Sequence, residues 1–493
     1  MKKSFKLLSL ILAVLMVVSS FVACDGNKDD ETEGKQVENA TSSESATELV
    51  TEAKPNVPEN DYGEEFYLSI YEGSNPMKYY WVEESDNDVM SEALFARQEK
   101  VRQYLGVNIV GTPAGTYKEY AEPFKNSVKN KDGSVDTLLS HVYESVASFV
   151  SENYLANIAD YPGINVDADY WNSDFMESIS VGGKYFLGFS DFNILYTHVI
   201  TFNKKMMEQY ADAMEKSVYD LVRDYEWTID EMISLANLVY IDASADGKTE
   251  DDTFGIAGRQ WNETTGFLHG CDINIIEPDE SGAYTVCVTN EKNADKTSQL
   301  VDKLYELSKS NCCWFDYETT TEDTVPLTSG RTLMHVSVSN NLITYLDYDV
   351  SFGVLPYPLW DTAQKDVGYR HLQWGGYICV PSFVNNAQMV GETLDVLSFY
   401  SDGVKTAYYE KMLGKQVADV PDDSQMLAIV WDTVCTEFAQ TYANVFNTEM
   451  LYMMARLTHA NSYESLSSYV ASRARTVNAS IKKYMEKMDS PAN

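Results

Sequence analysis

The chain has 493 residues, of which 44% are apolar and 12% aromatic, and 75 acidic against 37 basic side chains give a net charge of −38. That balance leaves no basic footprint for nucleic acid, and no run of 18 apolar residues follows the N-terminal segment, so nothing in the body reads as a bilayer span. The length exceeds what one hydrophobic core supports, and two lobes are expected.

The chain opens with Lys2, Lys3 and Lys6, and Leu7 to Phe21 follow as an uncharged, mostly apolar run. A basic start and a short apolar core with small residues behind it form a secretion signal. The run falls short of the roughly 20 residues that span a bilayer. Val22, Ala23 and Cys24 then resemble the lipobox of bacterial lipoproteins, with Phe21 where that family usually carries Leu. The resemblance implies a signal peptide at 1–23, lipidation of Cys24, and a mature chain tethered at the outer face of the cell membrane by that anchor alone. An ordinary signal with a chance cysteine is the alternative. Cleavage removes three lysines and takes the charge from −38 to −41. Residues 25–61 hold eleven Asp or Glu, three Lys and few apolar side chains. Such a stretch cannot offset its ordering entropy by burial, so 24–61 reads as a disordered acidic linker.

Phe66 to Tyr71 reads as a strand, Ser91 to Leu105 as a helix stopped by Gly106, and Val107 to Val110 as the next strand. A β-like segment follows at Thr137 to Tyr143. This rhythm predicts α/β layers with a largely parallel sheet. Gly182 to Asn203 reads as strands around a turn at Ser190 to Asn193, and a helix begins at Lys204. Thr228 and Glu231 form a capping box, with Trp227 and Met232 as its hydrophobic staple. Leu300, Leu304 and Leu307 mark a further helix. Thr332 to Val338, Phe352 to Pro356 and Tyr377 to Pro381 read as short buried strands, and helices dominate from Ala387.

The chain shows no convincing catalytic constellation. Among the six histidines no two stand four apart, which excludes HExxH. Gly188 to Phe192 imitates a GxSxG elbow but lacks the last glycine. Asp242, Ser244, Asp246 and Gly247 match the opening of a calcium loop, with Thr253 where a bidentate Glu belongs. Asp242, Asp246 and Asp252 are therefore candidate metal ligands against a solvated turn. No cofactor is otherwise expected. Seven cysteines without a CxxC leave the six beyond Cys24 open to disulfides or to buried thiols. Eight Trp and 34 Tyr are many for this length. Flat rings suit the apolar faces of pyranoses.

Several segments together resemble one family, the extracellular solute-binding lipoproteins of bacterial ABC importers, of the sugar-binding type related to maltose-binding protein. The residues that carry this are Gly182 to Phe186 with Gly188 to Asp191, Val199 to Lys205, Tyr219 to Ile233, Asp252 to Gly258, and Phe352 to Pro358. Asp422 to Leu427 matches in part. The resemblance implies a two-lobed α/β periplasmic-binding-protein-like fold with discontinuous lobes and an interlobe cleft. Residues 62–192 with 372–430 are expected in one lobe, and 193–371 with 431–493 in the other. It further implies a monomer that is not an enzyme, which captures an oligosaccharide or other small solute and delivers it to ABC permease subunits. Trp81, Trp261, Trp360 and Trp374 are the candidate stacking surfaces, and Asp191 and Asn262 the candidate partners for hydroxyls. A secreted glycan-acting hydrolase, or a surface binding or signalling module without a transporter, are the rival readings.

Overall fold

Phe66, Leu68 and Ile70 alternate along one short run and are fully buried, which fixes β1 (Glu65–Tyr71) as an interior strand. These residues belong to a computed structural model that describes residues 53–73, 76–261, 263–316, 325–418, 421–461 and 464–489. The leader and Cys24 lie outside the described residues. Helix Val89–Leu105 carries the chain to β2 (Asn108–Gly115). Asp88 caps its start by accepting from the Met90 and Ser91 amides, and Gly106 ends it in the left-handed region at φ 64°. Asp61 packs against Gly106 closely enough to leave no room for a Cβ there. β2 and β3 (Thr137–Leu139) flank β1, both parallel to it.

Asp136, just ahead of β3, is 3% exposed, and its carboxylate accepts from the Tyr67 amide at 2.9 Å. Burial raises its pKa to about 6. The folded state thus holds this proton more tightly than the unfolded chain. The stability this lends is complete below the ordinary carboxyl range and is lost as pH rises through about 6. Asp136→Asn is expected to raise the melting temperature at pH 8, by an equivalent of about 1–3 kcal/mol, and to change little at pH 4. Melting curves at the two pH values check this.

A second sheet begins with β4 (His198–Asn203), buried at every position. β5 (Tyr240–Ile241) and β6 (Thr253–Arg259) form its far edge, the hairpin β7 (Ile276–Pro278) and β8 (Tyr284–Val286) stands apart, and β9 (Cys313–Asp316) pairs in parallel with β6. β10 (Thr332–Val338) lies between β6 and β4, parallel to the first and antiparallel to the second, and β11 (Phe352–Leu355) closes the other edge against β4. β12 (His371–Leu372) leaves this sheet, and β13 (Ile378–Cys379) returns to the first one, antiparallel to β3. β14 (Val434–Cys435) pairs in parallel with β12. The first sheet therefore runs β13-β3-β1-β2 and the second β11-β4-β10-β6-β5.

Segments near 193–197, 371–377 and 433–436 run side by side between the sheets. Gln373, wholly buried, accepts from the Tyr196 amide and donates to Ile194 O, while Thr197 Oγ1 donates to Leu372 O. Gly182 to Thr197, read from sequence as strands, makes only isolated bridges such as Gly188 to Ile378 and Thr197 to Gln373. Its rings fill core where no ladder partner runs alongside.

Two details depart from the expected boundaries. Residues 55–61, read as the end of the linker, pack on the body: Val57 is buried, Tyr104 donates to Val57 O, and the Asn60 amide donates to Tyr104 O. The C-terminal segment, expected in the second lobe, also reaches residues expected in the first. Phe438 stacks on Tyr284 beside β8, whereas Tyr442 donates to Ile179 O and Tyr484, on helix Leu466–Asp489, donates to Ala147 O. The six cysteines from Cys271 to Cys435 are all free thiols, five of them buried. Among the described residues no helix is long and apolar enough to cross a membrane.

Candidate functional site

Parallel strands deliver their C-terminal ends to one edge of a sheet, and open α/β sheets bind ligands in the crevice there. In the first sheet those ends are Tyr71 as the last residue of β1, Tyr117 after β2, and His141 and Tyr143 after β3. In the second they include Arg259 at the end of β6 and Trp261 just beyond it. Their rings form a continuous chain. His141 meets Tyr71 at 5.0 Å, Tyr117 at 5.8 Å and Tyr143 at 4.7 Å, all edge-on. The Tyr143 hydroxyl lies 2.9 Å from that of Tyr452, and Tyr452 stacks on Trp261 at 4.5 Å and 25°. Tyr452 is held beside Trp261 because its neighbours are fastened there: Thr265 donates to Leu451 O and Gln260 to Thr458 Oγ1.

The chemistry of this chain of rings is that of uncharged hydroxyls and flat faces. Burial raises the Tyr71 hydroxyl to about 12, and the same cause, aided by Glu144, raises Tyr117 to about 12. Tyr143 and Tyr452 are raised by burial as well. Burial lowers His141 to about 4, so it is neutral at physiological pH. Its Nδ1 accepts from the Tyr143 and Glu144 amides, which leaves the proton on Nε2. Tyr117 is 47% exposed, so part of its surface is open to solvent. Arg259 bonds Glu263 through Nε and Nη2 at 3.1 and 2.7 Å.

Of the residues named from sequence, Trp261 falls in this chain of rings. Asn262 lies outside the described residues. Trp81 lies across Gly111, against the edge strand β2, and donates to Ile109 O at 2.9 Å. Trp374 is 5% exposed and packs against His198 beside the crossing segments. Trp360 carries the Lys303 ammonium over its ring at 5.5 Å. Asp191 pairs with Lys405 at 2.9 Å. The tyrosines and His141 are missed because 34 tyrosines cannot be sorted by type, and Tyr71, His141 and Tyr143 fall inside segments read as strands rather than beyond their ends.

In the acidic loop, Asp252 accepts from the Ala243 and Thr249 amides and from Tyr240, and Asp242 accepts from the Gly247 amide. The loop is thus tied by its own carboxylates. Among the described residues no group of three or more His, Cys, Asp or Glu is placed to hold a metal ion. An open groove between helices Ile229–Ala236 and Ala294–Lys309 is lined by Asp230, Asp302, Lys303 and Glu306, and none of the rings above borders it.

Two α/β sheets with crossing segments between them, and rings gathered at their strand ends, define a two-lobed solute-binding fold. Residues 96–391, more than half of the chain, match the family of bacterial extracellular solute-binding proteins, and the chain belongs to that family. The fold is shared with a cyclo/maltodextrin-binding protein complexed with maltotetraose, at 11% identity and a TM-score of 0.53 over 90% of this chain and 100% of the other. It is also shared with the maltose/maltodextrin-binding domain MalE of Bdellovibrio bacteriovorus bound to maltotriose, at 11% identity and a TM-score of 0.51 over 86% and 99%. The GacH receptor of Streptomyces glaucescens, solved unliganded and with acarbose, aligns at 16% identity and a TM-score of 0.50 over 87% and 99%. No curated protein sequence matches the chain.

Proposed function

We propose that this protein captures an oligosaccharide between its two lobes and hands it, without chemistry, to the permease of an ABC importer. The observation that carries the reading is the run of rings from Tyr117 through His141, Tyr143 and Tyr452 to Trp261, which joins the strand ends of the two sheets. Rings stack on pyranose faces, and tyrosine hydroxyls and the His141 Nε2–H answer sugar hydroxyls. The family and the saccharides bound by the structural relatives support it. In this reading 62–192 with 372–430 and 193–371 with 431–493 make the lobes, with helix Pro421–Asp432 going over to the second sheet at their boundary, the protein is a monomer, and it needs no cofactor. Cys24 is lipidated and the acidic linker holds the body at the extracellular face of the membrane.

Two experiments test it. A ligand that binds only the folded protein stabilises it by about 2.7 kcal/mol at a hundredfold excess over Kd. A thermal-shift screen against neutral oligosaccharides should therefore raise the melting temperature with at least one of them. A panel with no shift, or release of reducing sugar from any member, would overturn capture without chemistry. Cys24→Ala should leave the membrane fraction or remain unprocessed; a correctly cleaved variant still on the membrane would remove the anchor from the reading.

A further inference from the structure

Glu144 follows Tyr143 in the loop beyond β3 and is 8% exposed. Its carboxylate accepts from Asn444 Nδ2 at 3.0 Å and lies close enough to Tyr117 to help raise the pKa of that hydroxyl. Among the described residues it takes part in no ion pair. The guanidinium of Arg259, on the opposite lobe, is bonded to Glu263. Lys118, on the Tyr117 loop, is exposed, and its ammonium stands over the Tyr117 ring at 5.4 Å. The site thus sets a nearly buried carboxylate, bonded to the neutral Asn444 amide, among aromatic rings.

Both features act in one direction. The negative face of a tyrosine or tryptophan ring attracts a cation. A carboxylate withdrawn from water attracts a cation, and repels an anion, more strongly than one in bulk solvent. A neutral hydroxyl can still donate to the carboxylate but carries no net charge, and so gains less than a protonated amine. We propose that the cleft selects saccharides by charge, preferring an amino sugar whose protonated amine reaches Glu144 over its neutral counterpart and rejecting uronic acids. This rests on the carbohydrate reading above. The amine replaces one sugar hydroxyl as donor to the carboxylate, and the rings around it exclude water.

The test is calorimetry on the full folded body with three β-1,4-linked tetrasaccharides that differ in charge, made of glucosamine, glucose or galacturonic acid, with maltotetraose beside them. At a pH where the amine is protonated, the glucosamine tetramer should bind about tenfold tighter than the glucose tetramer, and the galacturonate should not bind. In Glu144→Gln the ratio between the first two should fall to about one. In the parent protein, raising salt should weaken the glucosamine tetramer more than the glucose tetramer, a readout that needs no variant to fold. Binding of glucose tetramers or maltotetraose with no preference for the amine, or an amine preference that survives Glu144→Gln, would overturn charge selection and leave carbohydrate capture standing. Failure of all four saccharides to bind would remove both.

Discussion

Trp227→Ala is expected to cost about 3–5 kcal/mol of folding stability, the range for deleting a large buried aromatic. Trp227 is wholly buried where helix Ile229–Ala236 begins, one residue ahead of the capping Thr228, and Met232 is wholly buried in the staple position. Its Nε1 donates to Pro356 O at 2.9 Å. Its own carbonyl accepts from the Leu359 amide at 3.0 Å, and Leu359 O accepts from the Ile229 amide at 2.8 Å. The ring therefore fastens a helix start to the chain leaving β11, across 129 positions of sequence. Trp227→Phe keeps most of the volume but leaves Pro356 O without its donor, and should cost about 1–3 kcal/mol. Urea unfolding of the two variants gives the comparison. Equal losses would mean that the hydrogen bond contributes nothing beyond packing.

Asp423→Ala should lose a similar amount, for a different reason. Asp423 lies on helix Pro421–Asp432, and its carboxylate is fully buried. It accepts from Lys204 at the end of β4, from the Tyr219 hydroxyl at 2.7 Å and from the Val354 amide of β11 at 3.2 Å. One side chain thus ties a C-terminal helix to two strands and a helix of the second sheet. Removing one member of a buried ion pair leaves its partner uncompensated and costs about 3–5 kcal/mol, whereas replacing both with apolar side chains of similar size is often neutral. Asp423→Ala is expected to unfold at markedly lower urea. The double variant Asp423→Leu with Lys204→Met should recover much of that loss. A double variant no better than the single one would show that the hydrogen bonds to Tyr219 and Val354, rather than the ion pair, hold the helix.

The parts of the fold that could be read from sequence are those whose local signals agree with one another. β1, helix Val89–Leu105, β10 and β11 carry clean apolar patterns bounded by stop residues, and the Thr228 capping box gives a helix start at Ile229. Thr137 to Tyr143 shows where such reading stops. The strand ends at Leu139, and Ser140 Oγ turns to its neighbour's carbonyl at His141. The chain leaves the sheet there to present His141 and Tyr143, a placement set by long-range packing rather than by residue type. The same holds for the site. Ring area favours the tryptophans as stacking surfaces, yet Trp374 and Trp81 spend that area on internal packing. Tyr452 comes from nearly 200 residues beyond Trp261, and only the folded chain brings the two rings together.

The central claim is that these rings grip one sugar ligand from both lobes. It is tested most directly by calorimetry on Trp261→Ala and Tyr117→Ala, using the oligosaccharide that gives the largest thermal shift. Trp81, Trp360, Trp374 and Asp191 complete the alanine series. Tyr117 is half-exposed, so its loss should spare the fold. Each of the two ring deletions should weaken binding by about 1–3 kcal/mol, roughly five- to 150-fold in Kd, because a stacked face and its excluded water are lost together. Binding by both variants as tight as that of the parent protein would contradict the account, and would place the ligand elsewhere than between these strand ends.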